Sequence, residues 1–418
     1  MNKKILSETI IIASILFLGL FLAACQGPSK PIADDSGATA EGVSSVVNAN
    51  NQFAFNMYSE LAKGNGGNIF FSPYSISTAF AMVYEGARGQ TAEEMQQVFR
   101  FPADENVRRP AFASVYNHLN SGSKDYQLST ANALWTHKDY TFLPEYLGTV
   151  EKYYGGKATN LDFVMETEKS RKIINDWVEK QTNDKIKDII PPAFLSPMSR
   201  LVLTNAIYFK GNWEWEFDKA YTAERDFKIT VTNIIKTPMM YMDPEKTTFN
   251  YADAGDLQIL ELPYKGEEIS MLILLPTENL ESIEPSLNSE KIKELKEEMQ
   301  ETKLDAIYLP KFEFDTKYFM EGQLSSLGMP LAFSWPGADF SGMDGTKMLY
   351  IGGVIHQAFV KVDEKGTEAA AATVIGMKVG AGMPRNLFRA DHPFIFIIQE
   401  RATGNILFMG RVIDPTAK

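Results

Sequence analysis

Apolar positions recur at helical spacing where the folded part of the chain begins. Between residues 46 and 63 they are Phe53, Phe55, Met57 and Leu61, a pattern typical of one face of an amphipathic helix. The glycine-rich run that follows breaks the pattern. We therefore predict a first helix over 46–63.

The next pattern predicts a short strand followed by two helices. Residues 69–71 are apolar throughout. Ser72-Pro73 then suits a helix start, because serine caps a helix and proline fits its first turn. A glycine-rich turn ends that helix, and we expect Thr91 to cap the next one, with Glu94 three residues later.

Strands and helices are predicted along the rest of the chain. Apolar and β-branched residues run from 201 to 215, which predicts a buried strand whose Asn205 needs hydrogen-bond partners. An amphipathic helix over 168–182 should bury Ile173, Ile174 and Trp177. The other predicted elements are strands over 128–136, 304–314, 351–362, 394–399 and 407–411, a strand pair over 257–275 that turns at Lys265-Gly266, and a charged helix over 290–302.

Residues 363–373 differ from what precedes them, because after three charges they contain mostly small side chains. Gly366 is free to adopt a positive φ and can serve as a pivot. In an extended strand the residues after it divide between two faces. One face carries Thr367, Ala369, Ala371 and Thr373, and the other carries Glu368, Ala370 and Ala372. Such a strip can enter between two strands without a steric clash.

The run 368–372 taken alone would predict a short helix, because alanine has the highest helix propensity. Three glycines and Pro384 follow it closely, and no helical or strand period fits there. From residue 366 to 393 the chain has no clear period. Long unstructured segments in compact domains are usually functional or disordered.

This stretch resembles the hinge of the reactive-centre loop of serpins, the serine protease inhibitors. Residues 391–396 are similar to the motif that closes this loop in the family. Further serpin-like segments occur in order at 68–95, 201–213 and 338–343. The resemblance implies an α+β serpin fold, with helices packed around three β-sheets and an exposed reactive-centre loop over about 364–390.

The N-terminus has the pattern of an export signal. Lys3 and Lys4 precede an uncharged run over 10–24, which suits a signal peptide and is short for a membrane span. The run ends in Leu-Ala-Ala-Cys at Cys25, which resembles the lipobox of prokaryotic lipoproteins, where the cysteine is the site of lipid attachment. A plain secretory signal and an uncleaved anchor are the alternatives.

These patterns divide the chain into three predicted segments. Residues 1–24 form a lipoprotein-type signal peptide, 25–45 a flexible tether rich in small and polar residues, and 46–415 the serpin domain. We expect an exported protein, either a cell-surface lipoprotein or extracellular.

Composition and charge narrow the class of partner. The 418 residues are 44% hydrophobic and 22% charged, with a formal net charge of −12. That charge would become −13 once the signal is removed, since two lysines and one glutamate leave with it. An acidic chain argues against a nucleic-acid partner, which needs a basic face. Cys25 is the only cysteine, so the fold must be stable without an internal disulfide.

No motif for catalysis or metal binding is recognisable. The chain has four histidines and lacks the nucleophile elbow, the phosphate loop, the zinc-protease helix and Cys-x-x-Cys. We therefore predict no enzyme activity, no cofactor and no metal site.

The resemblance implies a suicide-substrate mechanism. A serine protease attacks the bait bond, the loop inserts into the main sheet as a strand, and the acyl-enzyme is trapped. Counting from the hinge as in the family places the bond at Gly380-Ala381, which suits elastase-like enzymes. Lys378 would instead suit trypsin-like enzymes, and Met377 chymotrypsin- or subtilisin-like ones. The predicted hinge comprises Glu364, Gly366, Thr367, Glu368, Ala369, Ala370, Ala371, Ala372 and Thr373.

The resemblance also places His356 in a hydrogen-bonded cluster with Ser72, Ser75 and Asn205, beneath the point where the main sheet opens. Trp213 is expected where the inserting loop first enters. A strand can enter a sheet only if two neighbours part, and a polar cluster with two satisfied arrangements would let them part and close again. A set of static buried hydrogen bonds is the alternative.

The predicted function is therefore an extracellular inhibitor of serine proteases, a monomer that contacts a membrane only through its N-terminal lipid. A non-inhibitory serpin acting as a surface binding protein is the alternative. A third possibility is an unrelated surface lipoprotein for solute capture. Non-inhibitory members tend to carry bulky, charged or proline residues in the hinge, and the hinge face formed by Thr367, Ala369, Ala371 and Thr373 carries none.

Overall fold

The computed structural model describes residues 32–120, 124–243, 247–367 and 386–418. Residues 33–418 group into one compact unit. Among the described residues no helix is both long and apolar enough to span a membrane.

The described α-helices differ in length from one turn to more than six. In chain order they are α1 (Ala40–Ala62), α2 (Pro73–Gly86), α3 (Gly89–Phe99), α4 (Glu105–Asn120), α5 (Pro144–Tyr154), α6 (Thr167–Gln181), α7 (Leu280–Ile283), α8 (Ser289–Glu298), α9 (Glu321–Leu327) and α10 (Ser341–Asp344).

The described strands occur throughout the chain, between and after the helices. They are β1 (Ile69–Phe71), β2 (Tyr126–His137), β3 (Lys157–Leu161), β4 (Leu201–Asn212), β5 (Ala223–Lys228), β6 (Ile234–Met242), β7 (Phe249–Asp253), β8 (Leu257–Pro263), β9 (Ile269–Pro276), β10 (Gln300–Thr302), β11 (Ala306–Pro310), β12 (Phe312–Phe319), β13 (Ile351–Asp363), β14 (Gly366–Thr367), β15 (Leu387–Arg389), β16 (Phe394–Glu400) and β17 (Ile406–Val412).

These strands form three sheets in the described part of the chain. The six-stranded sheet, which we call the main sheet, has the order β12-β13-β14-β4-β2-β3. The four-stranded sheet, which we call the outer sheet, has the order β15-β11-β6-β5. A seven-stranded sheet has the order β1-β17-β16-β9-β8-β7-β10. The predicted α+β class with three sheets is confirmed.

Aromatic side chains pack where the N-terminal helices meet. The ring of Phe99 lies 4.5 Å from that of Phe53 in α1 and 4.8 Å from that of Phe80 in α2 (centroid distances). All three side chains are fully buried. The helical spacing of apolar residues in α1 is therefore explained by this shared core.

The packed part of the chain begins earlier than the sequence suggested. Thr39 caps α1 by accepting a hydrogen bond from the N–H of Gly42, so the helix begins at Ala40 rather than at residue 46. Ala33 is buried against Ala113 and Tyr116. Residues 33–45 are thus ordered structure, and their prediction as flexible tether was wrong, because small polar residues also suit a docked segment.

Residues 33–39, which we call the N-terminal strap, are held by α4 and α5. The side-chain amide of Asn117 accepts from the N–H of Ala33 (2.9 Å) and donates to its carbonyl (2.8 Å). The Asp34 carboxylate lies 2.9 Å from Lys152 Nζ. Hydrogen bonds from Ser36 and Lys152 lower the pKa of Asp34 to about 2. The strap therefore links two helices through main-chain and charged contacts.

The predicted capping box at the start of α3 was wrong. The helix begins at Gly89, and its N-cap residue Arg88 makes no side-chain capping bond. Thr91 instead accepts from the N–H of Asp339, and Glu94 accepts from the N–H of Leu331. Both side chains connect the helix to a distant segment, which a local sequence motif cannot distinguish from a cap.

Other element predictions needed smaller corrections. Ile173 is 40% exposed, whereas Ile174 is buried and Trp177 packs with its ring centroid 5.4 Å from that of Trp135. The predicted strand over 304–314 is two strands, β11 and β12, in different sheets. The chain changes sheet at Lys311, next to Pro310, which has no N–H to donate to a continuing ladder.

Replacing Asn117 with alanine tests the contribution of the strap to stability. We expect the free energy of unfolding to fall by about 1–3 kcal/mol, because the buried N–H and carbonyl of Ala33 would lose their partners. The midpoint of urea-induced unfolding measures the effect. Asn106→Ala, at an exposed position of the same helix, is the matched control, and equal midpoints for the two variants would contradict the prediction.

Candidate functional site

The predicted hinge begins inside the main sheet. β13 pairs in parallel with β4 from Ile351↔Leu201 to Phe359↔Tyr208. Beyond that point β14 lies between them and pairs antiparallel with both, through Val362↔Thr367 and Thr367↔Gly211. The sheet is therefore parted at one end and closed over the rest of the seam between β4 and β13.

A tight turn carries the chain from β13 into β14. The N–H of Lys365 donates to the Asp363 carboxylate (2.9 Å), and the Lys365 carbonyl accepts from the N–H of Trp213 (2.7 Å). Gly366 has a φ of 153°, and a Cβ atom there would lie 2.1 Å from the carbonyl oxygen of Gly211. Only glycine fits at this pivot, because both the backbone conformation and the space exclude a side chain.

Aromatic residues form the floor of the parted end. The indole N–H of Trp213 donates to the Asp363 carbonyl (3.0 Å), and its ring stacks on Tyr264 at a centroid distance of 4.5 Å. The Tyr264 hydroxyl lies 2.6 Å from Thr367 Oγ1. Burial raises the pKa of Tyr264, so this hydroxyl stays protonated and can hydrogen-bond to the first hinge residue that faces it.

Glu364 anchors the turn by its side chain. Its carboxylate accepts from Lys311 Nζ (2.8 Å) and from Thr222 Oγ1 (2.9 Å). Burial alone would raise the pKa of Glu364, but the hydrogen bonds from Lys311 and Thr222 outweigh it and lower the pKa. Glu364 is therefore ionised and paired with Lys311, the residue at which the chain passes from the outer sheet to the main sheet.

The structure places His356, Asn205, Ser72 and Ser75 in one buried cluster. His356 Nδ1 contacts Asn205 Oδ1, and His356 Nε2 accepts from the N–H of Ser72 (3.1 Å). Asn205 Nδ2 donates to Ser75 Oγ (2.7 Å). The Ser72 hydroxyl donates to the carbonyl of Leu407 (2.6 Å). Asn205 thus has the hydrogen-bond partners that its place in a buried strand required.

Asn132 belongs to the same cluster, although the sequence reasoning missed it. Its Oδ1 accepts from Asn205 Nδ2 (2.6 Å) and from Ser75 Oγ (3.0 Å). The available signal was an asparagine between two alanines in the predicted strand over 128–136. Asn132, Asn205 and His356 are register partners on the neighbouring strands β2, β4 and β13. The contact between Asn205 and His356 therefore crosses the seam.

His356 is neutral in this environment. Burial lowers the pKa of His356 to about 3, and the hydrogen bond to Asn205 offsets only part of that effect. A neutral imidazole can accept at Nε2 and donate at Nδ1, which matches the two contacts of the ring. Protonation would place a second proton against the N–H of Ser72.

The remaining predicted site residues lie outside the described residues. They are Cys25, Glu368, Ala369, Ala370, Ala371, Ala372, Thr373, Met377, Lys378, Gly380 and Ala381. Among the described residues, no group of three or more His, Cys, Asp or Glu side chains could hold a metal ion.

A family model described as Serpin (serine protease inhibitor) matches residues 48–415. The chain is a member of the serpin family. This assignment accounts for the three sheets and for the main-sheet position of the hinge. Serpins are described as inhibitors of serine proteases rather than as enzymes.

Relatives from distant organisms align over most of this serpin. An uncharacterized serpin-like protein of Methanosarcina mazei is 44% identical over 381 residues, which cover 89% of this chain and 88% of that protein. Leukocyte elastase inhibitor A of Rattus norvegicus is 39% identical and covers 88% of this chain and 99% of that protein. Uncleaved ovalbumin superposes with a TM-score of 0.80 at 33% identity, over 89% of this chain and 100% of that one.

The neutral state of His356 predicts a pH-dependent stability. The unfolded histidine binds a proton near pH 6.5, whereas the folded one does so only near pH 3. The stabilisation is therefore complete above pH 6.5 and is lost as the pH falls toward 3. Between pH 6 and 5 we expect this residue to cost up to about 1.4 kcal/mol of unfolding free energy per pH unit.

Urea unfolding of the wild type and of His356→Gln at pH 5, 5.5 and 6 measures this slope. The variant should show a shallower pH dependence, whatever its absolute stability. A slope in His356→Gln as steep as in the wild type would show that another group is responsible.

Proposed function

We propose that this serpin is an exported suicide-substrate inhibitor of serine proteases. One observation carries the proposal: β14 already pairs with both β13 and β4, so the hinge residues Gly366 and Thr367 occupy the position of a new central strand. Extending β14 by residues from 368 onward would continue that strand. The family membership supports the class of target.

Insertion requires the seam below β14 to open and then close around the loop. The backbone pairs between β4 and β13 over Leu201–Tyr208 would be lost, but the inserted strand would form hydrogen bonds on both of its sides. A central strand of this length gains on the order of 10–20 kcal/mol, at about 1 kcal/mol net for each bond. Opening at the level of the cluster also breaks the contact between His356 and Asn205.

The hinge sequence suits this movement. Thr367 is buried, with its side chain toward Tyr264. In an inserted strand, alternation places Ala369, Ala371 and Thr373 on the same face as Thr367. The apolar layer beneath would then receive only small side chains. A bulky or charged residue on this face would have to be buried against the aromatic floor.

Trapping the enzyme follows from the distance that insertion covers. A protease attacks the bait bond and forms an acyl-enzyme with the new end of the loop. Fourteen residue steps from Gly366 to Gly380, at about 3.4 Å each, would carry the enzyme roughly 48 Å. Because catalysis can fail when groups shift by about 1 Å, a pull of this size would stop deacylation. Gly380-Ala381 stays the predicted bond, with Met377 and Lys378 as the alternatives.

Incubation with elastase-, subtilisin- and trypsin-like proteases tests the proposal. An inhibitor of this kind forms an SDS-resistant complex with at least one of them. The chain cleaved in the loop should also melt at a much higher temperature than the intact chain, because the inserted strand adds to the main sheet. Cleavage without either effect would refute the mechanism.

Changing Thr367 to arginine should convert the inhibitor into a substrate. Burying a guanidinium beside Tyr264 and Trp213 opposes insertion, so cleavage should proceed while the SDS-resistant complex disappears. Ala369→Glu combined with Ala371→Glu should have the same effect. Thr367→Ser keeps the hydroxyl contact and is the control, and complex formation by Thr367→Arg at the level of this control would contradict the prediction.

The export part of the proposal rests on the sequence around Cys25. A lipidated cysteine would hold the serpin at a cell surface, where it would meet extracellular proteases. Expression in a lipoprotein-processing bacterium with radiolabelled palmitate should label the wild type. Cys25→Ser should abolish the label, and equal labelling of both proteins would exclude lipid attachment at this residue.

A second candidate function is that of a surface binding protein without inhibitory activity. It is favoured by a cavity of about 290 Å³ between α1 and α8, lined in part by Phe55, Ile292, Lys296 and Gln399. Most of the lining side chains are polar or charged, so the cavity suits a polar small molecule with an apolar part. An unchanged melting temperature after loop cleavage would favour this candidate over the inhibitor.

A further inference from the structure

Two arginines of the outer sheet converge on one tyrosine ring. Arg225 Cζ lies 5.1 Å from the centre of the Tyr308 ring, and Arg389 Cζ lies 4.7 Å from it. Both guanidinium groups are thus within the range of a cation–π contact. Both arginines are exposed, whereas Tyr308 is 8% exposed. We call these three residues the two-arginine patch.

The patch joins opposite edges of the outer sheet. Arg389 lies on β15 and is the register partner of Tyr308 on β11. Arg225 lies on β5, the other edge strand. Between them, Tyr241 of β6 is also a register partner of Tyr308, with their ring centroids 5.3 Å apart. Tyr308 therefore lies beside two guanidiniums from separate strands, each about 5 Å from the centre of its ring.

Neither guanidinium of the patch has a carboxylate partner among the described residues. Arg109 and Arg401, by contrast, each form ion pairs with two glutamates. Asp391 supplies a partial counter-charge: burial alone would raise its pKa, but the hydrogen bond with His392 and the charges of Lys228 and Arg389 lower it. Two cations beside one ring still repel each other. Tyr308 offsets part of this cost, and a bound anion would offset more.

The carboxylates near the patch in sequence are already engaged. Asp226 pairs with Lys236 (2.6 Å) and Asp391 with His392 (2.9 Å). Asp305 accepts from the N–H of Asn386 (2.8 Å). Alternation along β5 also directs Glu224 and Asp226 to the face opposite Arg225. The patch is thus a local positive site on a chain whose formal net charge is −12.

The position of the patch relates it to the bait loop. Arg389 follows Asn386 by three residues, which is about 10 Å in an extended strand. Asn386 is the first described residue after the predicted bait bond and its alternatives. An enzyme that attacks Gly380-Ala381 would be at most six residue steps, about 20 Å of extended chain, from Asn386 at this end of the outer sheet.

We propose that the two-arginine patch is a secondary binding site for carboxylate side chains on the protease that cleaves the bait loop. The inference rests on the proposed function, in which the loop is a protease substrate. Guanidinium groups recognise carboxylates through paired N–H donors. Their fixed placement on Tyr308 reduces the entropy lost on binding. The patch selects proteases with an acidic rim around the active site over those with a basic rim.

Anionic and cationic isoforms of trypsin provide matched probes, because they share a primary specificity and differ in surface charge. The readout is the second-order rate of cleavage after Lys378, the loop residue that suits trypsin-like enzymes, at low and at physiological ionic strength. We expect the double variant Arg225→Gln/Arg389→Gln to be cleaved about tenfold more slowly than wild type by the anionic isoform. The rate with the cationic isoform should stay within about twofold.

Lys63→Gln/Lys347→Gln is the matched control, because it removes the same net charge at two exposed positions. It should be cleaved at the wild-type rate by both isoforms. Added salt should slow cleavage of the wild type by the anionic isoform more than it slows cleavage of the arginine variant. Arg389→Gln alone should give a smaller effect in the same direction. A melting curve shows that each variant is folded.

Equal rates for the arginine variant and the control with the anionic isoform would overturn the proposal. So would an equal loss with both isoforms. If heparin binds the wild type but not the arginine variant while the cleavage rates are unchanged, the patch is a site for a sulfated polysaccharide and the protease proposal is wrong. Because cleavage is the readout, missing SDS-resistant complexes would count against inhibition and not against the patch.

Discussion

Strand pairing at the seam between β4 and β13 is the interaction on which the rest of this serpin depends. β4 and β13 pair in parallel over most of their length, and at one end Gly366 and Thr367 of β14 lie between them. A strand edge leaves unpaired N–H and carbonyl groups, so a parted sheet is stable only where something fills the gap. Here the chain fills it with its own next segment.

Polar contacts hold the seam between β4 and β13 closed. His356 and Asn205 connect the two strands directly, and Asn132 and the two serines connect them to β2 and α2. A buried network of this kind is stable only when every member is satisfied. The neutral form of His356 is therefore part of what keeps the sheet closed, since a second ring proton would face a donor rather than an acceptor.

The local sequence predicted part of this site: Gly366 is followed by small residues, and Asn205 interrupts an apolar strand and so needs hydrogen-bond partners. The grouping of His356 with Ser72, Ser75 and Asn205 came only from the resemblance to serpins. The predictions that were wrong or incomplete concern residues whose contacts are distant in sequence. Thr91 and Glu94 have the spacing of a capping box yet bond to a distant loop. The N-terminal strap has the composition of a linker, and its contacts with Asn117 are what dock it on the folded domain. The membership of Asn132 followed from strand register, which no single strand reveals.

Lys311 has a consequence that reaches across two sheets. It is the single residue between β11 and β12, and its ammonium group binds Glu364 at the turn before β14. One lysine thus transmits force by two routes, through the backbone and through an ion pair. A displacement of the outer sheet would therefore be passed to the edge strand of the main sheet and to the turn at Glu364 together, because Lys311 connects them covalently and by an ion pair.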